Sequence, residues 1–209
     1  MKPMVAGLIL AAAALAADPG FQTLFNGKNL DGWKLVGGHG PGYVVANGVL
    51  VCPADGGGNL FTEKEYANFV LRLEFNLSPG GNNGIGIRAP LGGDAAYQGF
   101  EIQVLDDPAP RYKDIQPWQR CGSVYNIFPA KPGALKPAGQ WNDYEITANG
   151  RQLSVRLNGV TVVNGNLDDV KDSEILKKHP GIARKSGHVG FLGHGTEVRF
   201  RNVRIKELP

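Results

Sequence analysis

Short runs of strict apolar and polar alternation, punctuated by Asn-Gly pairs, restrict this chain most tightly. In NFVLRLEFNLS, Phe69, Leu71, Leu73 and Phe75 share one face while Arg72 and Glu74 share the other. A two-residue period sends successive side chains to opposite faces of an extended chain, so one face is core and the other polar. YVVANGVLVC is a run-Asn-Gly-run hairpin pattern, and QWNDYEITANGRQLSVRLNGVTVVNG carries two more turns at Asn149-Gly150 and Asn158-Gly159. Such pairs suit the tight turns that join antiparallel strands. Helical periodicity is scarce, and LDDVKDSEILKKHP is the best candidate for a short helix or helical turn. Thirty glycines and fourteen prolines fit many short strands joined by turns, so an all-β sandwich or barrel is expected.

The first residues stand apart from this pattern. MKPMVAGLILAAAALAAD has a cationic start, an apolar run and Ala14-Leu15-Ala16 as a small-x-small site, which reads as a signal peptide over residues 1–17. The apolar run is shorter than the roughly 20 residues a membrane-spanning helix needs. The expected location is therefore periplasmic or secreted, with residues 18–209 as one domain. The alternative is a retained amphipathic or anchoring helix. A formal net charge of +3, dispersed among acidic residues, presents no basic stripe and argues against nucleic acid. Cys52 and Cys121 either form one disulfide, which export would permit, or are two small buried hydrophobes; they lack zinc-ligand spacing.

The middle of the chain holds the chemistry. GGGNLFTEKEY reads as a glycine-rich connector, and without a following Gly-Lys-Ser/Thr it is no phosphate loop. In GGNNGIGIRAP, Ile85 and Ile87 point inward while Gly84, Gly86 and Arg88 take the other face, leaving open space there. In GFEIQVLDD, Ile102 and Val104 point inward and Glu101 and Gln103 outward. Three strands thus offer Glu74, Arg88, Glu101 and Gln103 to one shared polar face. Residues 106–139 form a long loop with RCGSVYNIF as its one plausible strand. The end of the chain, GHVGFLGHGTEVRFRNVRIKEL, forms two strands around His194-Gly195, with a bulge expected at Arg201-Asn202 where the apolar parity changes.

Ordinary glycoside hydrolysis uses two carboxyl groups flanking the bond. Glu101 is followed on its own face by Gln103 and Leu105, neither of which ionises, so that pair is not encoded on this strand. One carboxylate with an arginine, an amide and a histidine suits another reaction: removal of a proton next to a carbonyl, with donors aimed at the enolate oxygen. Glu101 or His194 would move the proton while Arg88 and Gln103 orient the oxyanion or sugar hydroxyls. Plainer readings stand beside this one. Glu74 and Arg72 suit cross-strand ion pairs. His39 and His188, in glycine-flanked turns, suit solvent, and His179 before Pro180 suits a cationic helix cap. Trp33, Trp118 and Trp141 are first core residues, with Trp118 in its polar loop the one suited to substrate contact. Asp106-Asp107 and Asp168-Asp169 leave a calcium ion open, although neither has loop spacing that requires one.

LFNGKNLDGW, FVLRLEF, GNNGIGIR, YQGFEIQVLDD, GSVYNI, GQWNDYEI, VRLNGVTV and GFLGHGTEVRFRNVRIKEL occur in an order that closely resembles the 3-keto-disaccharide hydrolase family. The resemblance spans the whole mature chain. It implies a concanavalin A-like jelly-roll β-sandwich of two antiparallel sheets, exported and acting on glycosides already oxidised at C3. The ketone acidifies the C2 proton, whose loss expels the C1 substituent; water then adds to the resulting 2-hydroxy-glucal, and lyase plus hydratase amounts to hydrolysis. Matching positions imply catalytic roles for Glu101, His194 and Arg88. Glu74, Gln103, Trp118 and Tyr125 are the expected substrate contacts, with no metal ligand assigned and a divalent cation, structural or catalytic, left open. The expected partner is an oxidised glycoside or other saccharide. The chain departs from the family where Asn82-Asn83-Gly84 replaces Asn-Ser-Gly and Leu192-Gly193-His194 replaces Gln-Asp-His. A non-catalytic carbohydrate-binding module on the same fold is the alternative.

Overall fold

The computed structural model describes residues 19–209, so the N-terminal segment read as a signal peptide lies outside the described residues. Thirteen strands, two short α-helices and four 3-10 turns are described. The strands are β1 (Gln22–Thr23), β2 (Trp33–His39), β3 (Val44–Ala46), β4 (Val49–Cys52), β5 (Gly57–Tyr66), β6 (Phe69–Leu77) and β7 (Asn82–Ala89). Helix α1 (Ala95–Gln98) precedes β8 (Phe100–Leu105). There follow β9 (Trp141–Asn149), β10 (Gln152–Leu157), β11 (Val160–Asn166), α2 (Ser173–Lys178), β12 (Gly187–Gly193) and β13 (Val198–Glu207).

All pairings are antiparallel, and they make two sheets. One runs β11-β10-β9-β6-β13-β4-β3, with β1 added beside β13; the other runs β2-β5-β12-β7-β8. Their inner faces meet in one apolar core. Phe69, Leu71, Leu73 and Phe75 from β6 pack in the same cluster as Ile85 and Ile87 from β7 and Phe100, Ile102 and Val104 from β8. This is the expected jelly-roll sandwich, and alternation is its cause: inward side chains are buried while their neighbours along each strand reach an outer face. The Asn-Gly hairpins form as read, with Asn47, Gly48, Asn158 and Gly159 all at positive φ. The bulge at Arg201-Asn202 is also present, as a register shift with Asn202 at φ 53°.

Several segments depart from the expectation. GGGNLFTEKEY is not a connector but β5, in the interior of the five-stranded sheet; a bulge opposite Val189 breaks its alternation. RCGSVYNIF forms no strand. It turns tightly and covers the free edge of β8, with Gln103 donating to Ser123, Tyr125 to Glu101 and Gly122 to Gln103 through backbone bonds of 2.9–3.0 Å. His188 is buried within β12, its Nδ1 2.7 Å from the Thr62 carbonyl, rather than solvated in a turn. Cys52 and Cys121 are both free and buried, so the small-hydrophobe reading holds. Cys121 lies 3.1 Å from the Tyr144 hydroxyl, and burial pushes its thiol up to about 12. No described helix is long and apolar enough to cross a membrane.

Candidate active site

The outer face of the five-stranded sheet carries a cavity of about 550 Å³. Its floor is built by β8 (Glu101, Gln103, Leu105), Asn82 of β7, Asn59 of β5 and Leu192 at the end of β12. His194 enters just past β12, α1 and its cap contribute Asp94, Ala95, Ala96 and Tyr97, and the long loop adds Tyr112, Ile115, Gln119 and Tyr125.

Glu101 is 4% exposed and lies flat on the floor. A Cβ on Gly84 would stand 2.0 Å from Glu101 Oε1, so the space above that glycine is occupied by the carboxylate. Phe61 and Leu192 fill the corresponding space above Gly86. The expected gap over the two glycines is therefore a packed bed for Glu101. Oε1 sits 3.4 Å from His194 Nε2, the one hydrogen bond to this carboxylate among the described residues. The His194 side chain is 44% exposed at the cavity mouth. Its pKa is raised, first by the hydrogen bond to Glu101, with burial opposing and the charges of Glu101 and Asp94 reinforcing. The site thus joins a shielded carboxylate to an imidazole disposed to hold a proton. Gln103, also 4% exposed, donates from Nε2 to Asn82 Oδ1 at 2.9 Å, which leaves its second amide hydrogen for a ligand.

Tyr97 and Tyr125 form an aromatic wall, edge to face with centroids 6.3 Å apart. Trp118 meets Tyr125 edge to face at 5.0 Å. It does not line the cavity, so the expected substrate contact at Trp118 is corrected to a support behind Tyr125. The sequence pattern does not single out Tyr97 or Asp94. The available signal was Asp94 before Ala95-Ala96, a helix cap with Asp94 Oδ1 accepting from the Ala96 N–H at 3.0 Å, but a four-residue helix has too little periodicity to announce itself.

Two expected members of the shared polar face are elsewhere. Arg88 sits in a bulge where Ile87 and Arg88 together face Val189, and its φ of 48° reverses the alternation. The side chain is consequently 1% exposed and donates to the carbonyls of Ala67 and Gly150 and to Asn68 Oδ1, away from the cavity. Glu74 belongs to the other sheet. It accepts from Arg201 and Asn202 on that sheet's outer face, while Arg72 pairs with Glu145, so the cross-strand reading describes both. Asp106 accepts from the Gly80 N–H and Asp168 pairs with Arg151. Among the described residues no three His, Cys, Asp or Glu side chains converge as metal ligands would.

Fold and cavity define a β-sandwich protein with a carboxylate–imidazole site on the outer face of one sheet. Residues 20–206 match the family model of the 3-keto-alpha-glucoside-1,2-lyase-like domain, and the chain belongs to that family. It is 27% identical to a 3-keto-disaccharide hydrolase of Bacteroides thetaiotaomicron, over 90% of this chain and 79% of that protein. A crystal structure of a Parabacteroides distasonis protein, provisionally named a glycosyl hydrolase, superposes with a TM-score of 0.77 at 26% identity. The match covers 90% of this chain and 99% of that one. A Bacillus subtilis protein with a galectin-like fold has a TM-score of 0.61 at 9% identity, covering 90% and 94%, and supports the fold alone.

Proposed function

We propose that this protein cleaves 3-keto-glycosides by elimination across C1–C2 followed by hydration. The Glu101 carboxylate removes the C2 proton, the electron pair moves to the C3 oxygen as an enolate, and re-formation of the ketone breaks the C1–O bond. The His194 imidazolium gives its proton to the departing oxygen. Water then adds at C1, losing a proton to His194, while Glu101 returns the proton to C2, so atoms and charges balance over the cycle. Gln103, with its spare amide hydrogen, is the donor available to the enolate oxygen. Export to the periplasm or beyond belongs to the same reading, resting on the character of residues 1–17, and cell fractionation of the full chain tests it.

The observation that carries the reading is the Glu101–His194 contact of 3.4 Å on a floor otherwise lined by amides and aliphatic groups, with phenols and Asp94 at its sides. A general base needs a reachable, ionised carboxylate, and an imidazole with a raised pKa is a suitable acid for the leaving group. The test incubates purified protein with a 3-keto-glucoside and its non-oxidised parent in deuterated water. Aglycone released from the ketone alone, with deuterium at C2, is the expected result. Saccharide binding without turnover of either compound would overturn the enzyme reading in favour of a binding module. Asp94 in the same cavity favours one second reading, conventional hydrolysis between two carboxylates. Cleavage of the non-oxidised parent, abolished by Asp94→Asn, would establish it instead.

A further inference from the structure

We infer that His179, outside the cavity, is a positioning residue that sets the spacing of Tyr97 and Tyr125 in its aromatic wall. This rests on the reading of that cavity as the substrate site. His179 ends α2 and is wholly buried, so it does not act as the solvated cationic cap its place before Pro180 suggests. Its ring lies 4.7 Å from that of Tyr97, which lines the cavity from α1. Its Nε2 is 3.1 Å from Asn126 Nδ2, next along the chain from Tyr125, the other ring of that wall. The amide nitrogen can only donate, so Nε2 accepts and the ring is neutral with its proton on Nδ1. Burial lowers the His179 pKa, which agrees with that neutral state.

Nδ1 is buried and closes no hydrogen bond. A buried donor without a partner is destabilising, and a leucine or methionine would fill the same space without it. The imidazole is set apart from those by making two different contacts at once: a tilted ring contact with Tyr97 and an acceptor for Asn126. The following turn is equally constrained, since a Cβ on Gly181 would stand 2.4 Å from the Gly99 carbonyl at the end of α1. The α2 segment is thereby fixed to both segments that build the wall. Asn126 holds φ at 57°, a conformation in which the bond to His179 helps retain the turn that presents Tyr125.

Two variants break the link from opposite ends. His179→Gln keeps an acceptor but removes the ring; Asn126→Gly removes the donor and accepts the positive φ. Each is expected to raise KM for a 3-keto-glucoside about tenfold while kcat and its pH dependence stay within about twofold, because the wall holds substrate and the reacting groups are elsewhere. The double variant is expected to lose little more than the worse single one. Amide hydrogen exchange should accelerate over residues 94–98 and 122–127 while β7 and β12 keep their protection. Unchanged KM in the folded variants, independent additive losses, or exchange accelerated evenly across the sandwich would overturn the inference. The exchange measurement needs no substrate. If the wild-type protein fails to turn over the ketone, that result strikes the proposed function alone, and local exchange still decides the role of His179.

Discussion

The two sheets each carry carboxylates on an outer face over a depression of similar size, about 570 Å³ on the eight-stranded sheet and about 550 Å³ on the five-stranded one. On the eight-stranded sheet both lining glutamates are held by arginines: Glu145 by Arg72 and Arg156, Glu74 by Arg201. Arg201 also lies 4.0 Å over the ring of Trp141. On the five-stranded sheet the hydrogen-bond partner of Glu101 among the described residues is a titratable imidazole. A carboxylate locked to a guanidinium, which does not release its proton, remains a fixed charge, whereas one facing a histidine can exchange a proton with it. Cavity size does not separate these faces; the partner of each glutamate does.

The sharpest way to break this contrast is to neutralise one glutamate from each face. Glu101→Gln is expected to lower kcat on a 3-keto-glucoside by about 10³-fold with the melting temperature nearly unchanged, while Glu74→Gln leaves kcat at the wild-type level. Equal losses in the two variants would remove the distinction. Gly84→Ala comes next, because the new methyl must displace the Glu101 carboxylate from 2.0 Å. About a 10²-fold loss of kcat is expected, and a crystal structure should show Glu101 moved off the floor.

The His194 contact supplies a pH signature of intermediate size. Its raised pKa means the imidazolium persists above the ordinary histidine value of 6.5, so elimination should decline only as pH rises through that higher value. In Glu101→Gln the partner charge is lost, and NMR titration of the ring should show its pKa falling towards 6.5. A pKa unaltered by that change would show that Glu101 does not hold the proton on His194.

Arg88 gives the smallest expected effect on catalysis and a larger one on stability. Arg88→Met leaves the Ala67 and Gly150 carbonyls without their buried donor, at a cost of about 3 kcal/mol measured by urea unfolding. Folded enzyme should keep kcat within about twofold. A large catalytic loss with intact stability would place Arg88 in the reaction after all.

Glu101 and Gln103 were legible because β8 alternates without interruption from Phe100 to Leu105, so the buried phase of Phe100, Ile102 and Val104 fixes the phase of the rest. Arg88 was misplaced by the same rule, since one residue at positive φ reverses parity and arginine gives no turn signal of the kind glycine or asparagine does. Glu74 lies correctly on an outer face, but alternation does not say to which sheet a strand belongs. The strand β5 was hidden by its bulge, and the α1 wall by its brevity. His179 looked like a surface cap because local context contains no sign of Tyr97 or Asn126, which reach it from distant parts of the chain.

By itself the sequence determined what is local: the strands that alternate, the Asn-Gly hairpins, the polar phase of Glu101 and the bulge at Asn202. Tertiary structure alone decided what depends on separate strands meeting: which outer face each carboxylate occupies, the bed that Gly84 provides for Glu101, and the approach of His194 to it. The physical reason is range. Alternation and turn chemistry act over a few neighbouring residues, whereas the 3.4 Å contact joins residues 93 positions apart, brought together by burial of a core to which neither side chain belongs.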